Sequence, residues 1–192
     1  MKKKFLAVLA SLFVFGSVSA FAFDWSQCWC NYGGGIEKGD LILNVDVGFG
    51  GLFWDYYELG SDYKGSWFFP YTEASLSYAT YIWKLPFTFG GYVGFDGYHY
   101  EHKYSDHEWT HMTLYTGGLV EYHVQLPPKG LDVYAGTKLG VGIKLADYSG
   151  SRVYFEGDGY LGANWFFSDF FGVNLELGGP NVYAKTGLTF KF

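Results

Sequence analysis

The chain is short of most of what marks a nucleic-acid binder or a cross-linked secreted domain. Of its 192 residues only 2 are cysteine and 5 proline, and charged residues make up 17 %. The two cysteines, Cys28 and Cys30, are too few for a disulfide scaffold, and a bridge between positions i and i+2 would be strained. Basic residues number 13 against 19 acidic ones. That balance argues against nucleic acid as a partner and against electrostatic docking on anionic lipid. Beyond the N-terminus no apolar run reaches the roughly 20 residues that a membrane-spanning helix requires. If this chain crosses a membrane, it must do so with strands.

The single apolar run has another explanation. Lys2, Lys3 and Lys4 precede "FLAVLASLFVFGSV", and small residues follow at Ala20 and Ala22. A basic stretch, an apolar stretch and a small-residue site describe a cleaved secretory signal peptide. The expected division is therefore a signal peptide over 1–22, an N-terminal periplasmic segment over 23–38 and a barrel over 39–192. Without its three signal lysines the mature chain carries a net charge near −9. Cys28 and Cys30 fall in the N-terminal segment, where Trp25, Ser26 and Gln27 are the wrong neighbours for lipid acylation.

What the chain has in abundance is glycine, 28 residues, and aromatic side chains, 23 %. Glycine weakens helix while Tyr and Phe favour strand, so the composition points to an all-β fold. Periodicity agrees. In "LILNVDVGFG" every odd position from Leu41 to Phe49 is apolar, and Asn44, Asp46 and Gly48 occupy the other face. The same alternation predicts strands over Leu41–Gly50, Thr72–Ile82, Phe87–Phe95, Met112–Leu126, Leu131–Leu145, Val153–Phe167, Phe171–Leu177 and Val182–Phe192. In the last of these Val182, Ala184, Leu188, Phe190 and Phe192 are assigned to the apolar face.

Which face meets which surroundings is decided by the polar row. A soluble lipocalin-like barrel would turn its apolar row inward and cover its outside with Lys, Glu and Gln. Here the polar row is mostly Gly and Tyr with dispersed charges: Asp46, Glu73, Asp96, Glu121, Glu156, Asp158 and Glu176 against Lys138, Lys144, Arg152 and Lys185. A cramped polar interior needs that composition, because glycine makes room and buried charges must be paired. His123 falls on this inner face and is expected to partner an inward carboxylate. The aromatics Phe87, Phe89, Trp165, Phe167, Phe171, Phe190 and Phe192 share the apolar row at one end of the strands, as an interfacial belt requires. Connections after the second, fourth and sixth strands are short, whereas those after the first, third and fifth are longer.

The final strand carries Leu188 and Phe190 and ends in Phe192. This ending resembles the terminal signature by which the barrel assembly machinery recognises bacterial outer-membrane proteins. With the signal peptide and eight alternating strands, the chain resembles the small barrels of the OmpX, OmpW and OmpA-transmembrane type. The resemblance implies an eight-stranded antiparallel up-and-down transmembrane β-barrel, monomeric, in the bacterial outer membrane, with lipid around it and no cofactor. It covers the whole mature chain but includes no motif that assigns functional residues.

Two connections invite functional readings. The first is rich in aromatics, Trp54, Tyr56, Tyr57, Tyr63, Trp67 and Phe68, which suits a recognition surface for a host or surface ligand. The second, "HYEHKYSDHEWTH", holds four of the 5 histidines. Its "HEWTH" matches the zinc-protease pattern, but that chemistry needs both His on one helix. Strand alternation resumes at Met112, so no helix is available. A looser alternative is metal capture by His102, His107, His111 and Glu108. The expected function is non-enzymatic, in envelope integrity or surface recognition. The alternatives are a narrow OmpW-like pore, metal capture, and a soluble lipocalin-like binder.

Overall fold

The computed structural model describes residues 35–49, 63–83, 85–102, 108–126, 128–146, 151–179 and 182–192. They form eight antiparallel strands: β1 (Leu41–Phe49), β2 (Tyr63–Ile82), β3 (Leu85–His102), β4 (Glu108–Gln125), β5 (Leu131–Ala146), β6 (Arg152–Phe166), β7 (Phe171–Gly178) and β8 (Ala184–Lys191). Each pairs with its sequence neighbour and β1 pairs with β8, closing a barrel. Closure aligns Leu43 with Phe190 and Val45 with Leu188, and Leu41 and Phe192 exchange both backbone hydrogen bonds at 2.9 Å. No strand edge is left open at the seam.

The barrel is inside-out. Asn44, Asp46, Glu73, Glu121, Lys138, Asn164, Asn174, Glu176 and Lys185 are all buried, while Val45, Leu76, Val93, Leu161, Leu175 and Leu188 are exposed on the outer surface. Water would penalise both distributions; a hydrocarbon surround rewards both. Leu43 and Val45 thus face outward, and the lipocalin-like alternative falls with that observation. The aromatics of one end form a connected belt. Trp165 meets Phe167 at 6.0 Å, Phe167 meets Phe171 at 5.9 Å, and Phe171 meets Phe190 at 5.5 Å.

The strands differ in height. β2, β3 and β4 hold 20, 18 and 18 residues, against 9 in β1 and 8 each in β7 and β8. A strand tilted about 45° crosses a bilayer in about 9–11 residues, so among the described residues β2–β6 rise as a tall wall above a low wall made by β7, β8 and β1. The sequence-based boundaries miss this wall: much of what reads as loop is paired strand. Tyr63 pairs with His102, Trp67 with His99 and Glu101 with Glu108. The β2–β3 register shifts twice there, between Lys64 and Trp67 and between Phe69 and Thr72, and each shift breaks the strict alternation on which the boundaries rest.

Val182 lies on the inner face and not on the expected apolar row. It is 6 % exposed and packs inside with Tyr71, Tyr92, Tyr115 and Leu119, while Tyr183 faces out. Tyr183 donates to Phe49 O and accepts from Gly178 N, so the chain bends before β8 begins and the alternation counted back from Leu188 loses its phase.

Candidate functional site

The inward positions of all eight strands converge in the lumen, where they stack in layers. At the short-turn end an apolar floor joins Ile36, Ile42, Ala79 and Phe166. Ile36 belongs to the N-terminal segment over 23–38. It is held in the mouth of the barrel, its carbonyl accepting from Gln125 Nε2 at 2.8 Å and that of Gly35 from Lys191 Nζ at 2.5 Å. A fully buried Ile side chain recovers about 1.5–3 kcal/mol from water, enough to draw the segment in.

Above the floor lies a polar layer. Asn174 donates to Asn164 Oδ1 at 2.8 Å and to the Tyr134 hydroxyl at 2.6 Å. His123 stands between two carboxylates, its Nδ1 2.6 Å from Asp132 and its Nε2 3.5 Å from Glu121. Thr88 Oγ1 lies 3.0 Å from His123 Nε2, so Thr88, His123 and Asp132 have the connectivity of a nucleophile, base and orienting acid. The hydroxyl, however, donates to Glu121 Oε2 at 2.5 Å, and the three residues are 0 %, 1 % and 0 % exposed. A nucleophile must surrender its proton to the base and meet a substrate; this threonine is placed for neither.

The central layer is a closed ring of four charges. Lys138 Nζ lies 2.8 Å from Glu73 Oε1 and 2.9 Å from Glu176 Oε1. Lys185 Nζ lies 2.5 Å and 2.7 Å from the same two oxygens. The members come from β2, β5, β7 and β8, so the ring spans the lumen. The register places Glu176 opposite Lys185, but Lys138 and Glu73 meet only through closure of the barrel. Tyr71 donates to Glu73 at 2.6 Å and Tyr160 to Glu121 at 2.9 Å. Lys138 lies 4.4 Å above the Tyr160 ring, a cation–π contact that adds to the carboxylates. An upper layer follows, in which Tyr115 donates to Asp96 and Tyr92 to Glu156, each at 2.8 Å.

The sequence-predicted charges therefore divide. Glu73, Lys138, Glu176 and Lys185 form the ring, while Asp96, Glu121 and Glu156 take hydrogen bonds from tyrosines. Asp46, expected to find a Lys or Arg, has no ion pair among the described residues, and its Oδ1 is buried without a hydrogen-bond partner. The register sets it opposite Glu73, which both nearby lysines already serve. Arg152 and Asp158 occupy inward positions but are exposed, and Lys144 is half-buried. β7 stops at Gly178, opposite Tyr160, so among the described residues the part of β6 beyond that point pairs with β5 on one side only.

The residues proposed for metal capture or recognition mostly sit on the tall wall. His102 is in β3, and Glu108 and His111 are in β4, where His111 stacks on Tyr98 at 4.7 Å. His107 lies outside the described residues, among which no three His, Cys, Asp or Glu are grouped to hold a metal. Trp67 and Phe68 are in β2, with Trp67 stacked on His99 at 6.0 Å. Trp54, Tyr56 and Tyr57 lie outside the described residues, as do the signal peptide, Cys28 and Cys30. Leu188, Phe190 and Phe192 lie on the outer face. Sequence reasoning missed the inward Thr88, Tyr134, Asn164 and Asn174 as a connected layer, although their parity already placed them on one face.

No protein-family model and no curated protein sequence matches the chain. Among solved structures it is similar to the outer membrane protein OprG from Pseudomonas aeruginosa, with 12 % identity and a TM-score of 0.48 over 83 % of this chain and 99 % of that one. It is also similar to the N-terminal β-barrel domain of Pseudomonas aeruginosa OprF, with 13 % identity and a TM-score of 0.41 over 81 % and 98 % of the two chains.

Proposed function

We propose that this chain is a non-enzymatic, monomeric barrel of the bacterial outer membrane that serves envelope integrity or surface recognition, with its lumen closed to solutes. The observation that carries the reading is the Glu73–Lys138–Glu176–Lys185 ring, whose side chains are at most 3 % exposed. Opening a path would strip partners from buried charges, which costs about 3–5 kcal/mol for each broken pair. The ring, the polar layer and the apolar floor lie in series, so a solute would have to break all three. The sealed Thr88–His123–Asp132 arrangement supports the non-enzymatic reading. With transport disfavoured, activity is left to the two rims. The tall wall supports recognition of a surface or host ligand, and Leu188, Phe190 and Phe192 supply the ending that barrel assembly machinery would read.

The test is conductance. Purified full-length protein reconstituted in planar bilayers is expected to give no resolved openings, and to fractionate with outer membranes as a species whose gel migration changes on heating. Well-resolved unitary openings would replace this reading with the narrow pore, and recovery free in periplasmic extract would remove the membrane assignment.

A further inference from the structure

Between the β4–β5 and β6–β7 turns lies a groove of about 270 Å³, lined by Lys129, Trp165, Phe166, Phe167, Ser168 and Asp169. Its level in the fold is set by the aromatic belt: Trp165 and Phe167 are 53 % and 58 % exposed and belong to it. The groove is held by hydrogen bonds within and between the turns. Phe166 N donates to Gly130 O at 2.9 Å, Leu131 N to Pro128 O at 3.0 Å, and Phe171 N to Ser168 Oγ at 3.1 Å. Gly130 is required there, with φ of 80° and a carbonyl of Phe166 2.2 Å from where a Cβ would stand. The groove therefore exists before anything enters it.

Its chemistry is unusual for a belt. Lys129 and Asp169 are both exposed, line the same groove, and form no ion pair with each other or with another described residue. Two opposite, unspent charges beside two exposed aromatic rings complement a ligand that carries both charges at its head and is apolar behind. We propose that this groove binds a phospholipid with a phosphoethanolamine headgroup, its phosphate on Lys129, its ammonium on Asp169, and its acyl chains along Trp165 and Phe167. A phosphate and an ammonium are separated in one small headgroup, and an ammonium near an indole face gains cation–π attraction as well. A phosphoglycerol head offers only the anion. A phosphocholine head offers both charges but no N–H to donate to Asp169.

The inference rests on the membrane reading above, and the experiment separates the two. The full chain, folded in detergent and checked for heat-modifiable migration, is titrated with dimyristoyl lipids carrying phosphoethanolamine, phosphoglycerol or phosphocholine heads, and bound lipid is counted by native mass spectrometry. Phosphoethanolamine lipid is expected to be retained about threefold better than the others, the scale of an exposed charge contact. Lys129→Gln should weaken both phosphoethanolamine and phosphoglycerol lipid, whereas Asp169→Asn should abolish only the preference between them. Free O-phosphoethanolamine, lacking acyl chains, should not compete at equal concentration. Equal retention of the three lipids by a folded barrel, or retention unchanged in both variants, overturns the groove assignment and leaves the membrane reading intact. A chain that shows no heat-modifiable barrel and stays soluble overturns both.

Discussion

Alternate residues of the same strand live under different rules in this barrel. Val45 and Leu175 face outward at 41 % and 49 % exposure, while Asp46 and Glu176 beside them are 1 % and 2 % exposed. Outside, a side chain needs only to be apolar and touches few others. Inside, the ring ties side chains from strands far apart in sequence, such as Glu73 to Lys185 across 112 positions, and a group that misses such a partner, like Asp46, is left with a buried unpaired oxygen. The outer face specifies where the barrel sits, and the inner face specifies which barrel it is. Substitutions should accordingly be tolerated by chemistry on one face and by geometry on the other.

The largest effect belongs to the ring. Lys138→Met removes one cation and leaves Glu73 and Glu176 sharing Lys185, at an expected cost of about 3–5 kcal/mol, the usual penalty for stranding a buried charge. The measurement is the denaturant midpoint of the folded barrel in detergent, followed by the gel shift. Adding Glu176→Gln to Lys138→Met should recover much of the loss, because Lys185 and Glu73 then form a single neutral pair. Equal losses in the single and double variants would mean that the four charges do not act as one unit.

Next comes a charge on the lipid face. Leu175→Arg places a cation near the middle of β7 on the outside, and about 2–4 kcal/mol of stability should be lost if that position lies near the bilayer midplane. The same experiment in liposomes, with Leu175→Val as control, reads the depth of the strand. Loss below about 1 kcal/mol would place Leu175 at an interface and shift the membrane along the barrel.

Facing was legible in the sequence because the side-chain period of a strand is two, so a row of residues declares its side without any knowledge of neighbours. The placement of Glu73, Lys138, Glu176 and Lys185 on the inner row followed from that. Their meeting did not, since Lys138 reaches Glu73 only through the curvature of the closed sheet. The tall wall was hidden for a related reason. The register shifts between Lys64 and Trp67 and between Phe69 and Thr72 change the phase of the pairing, so Tyr63 to Phe69 and Tyr98 to His102 lose the contrast on which the reading depends. Val182 failed through the bend at Tyr183, and Asp46 through a register that opposes it to Glu73. Each failure is one of pairing or phase.

Glycines give the finest comparison between the faces. Gly187 faces inward, where an added Cβ would stand 1.9 Å from the carbonyl of Val45 and 2.7 Å from Asp46 Cα. Both atoms are backbone and cannot swing aside, so Gly187→Ala should cost about 1–3 kcal/mol through overpacking. Gly118 is on the exposed face, and its nearest atom for a new Cβ is Gly90 O at 3.7 Å, an ordinary contact. Gly118→Ala should then stabilise the barrel by about 0.4–1 kcal/mol, because alanine restricts the unfolded chain and its methyl group meets lipid. Unfolding midpoints of the two variants measured side by side decide the matter. Opposite signs follow from one face packed to contact and one bounded only by lipid; a loss at both positions would mean that the outer row, too, is fitted to a partner.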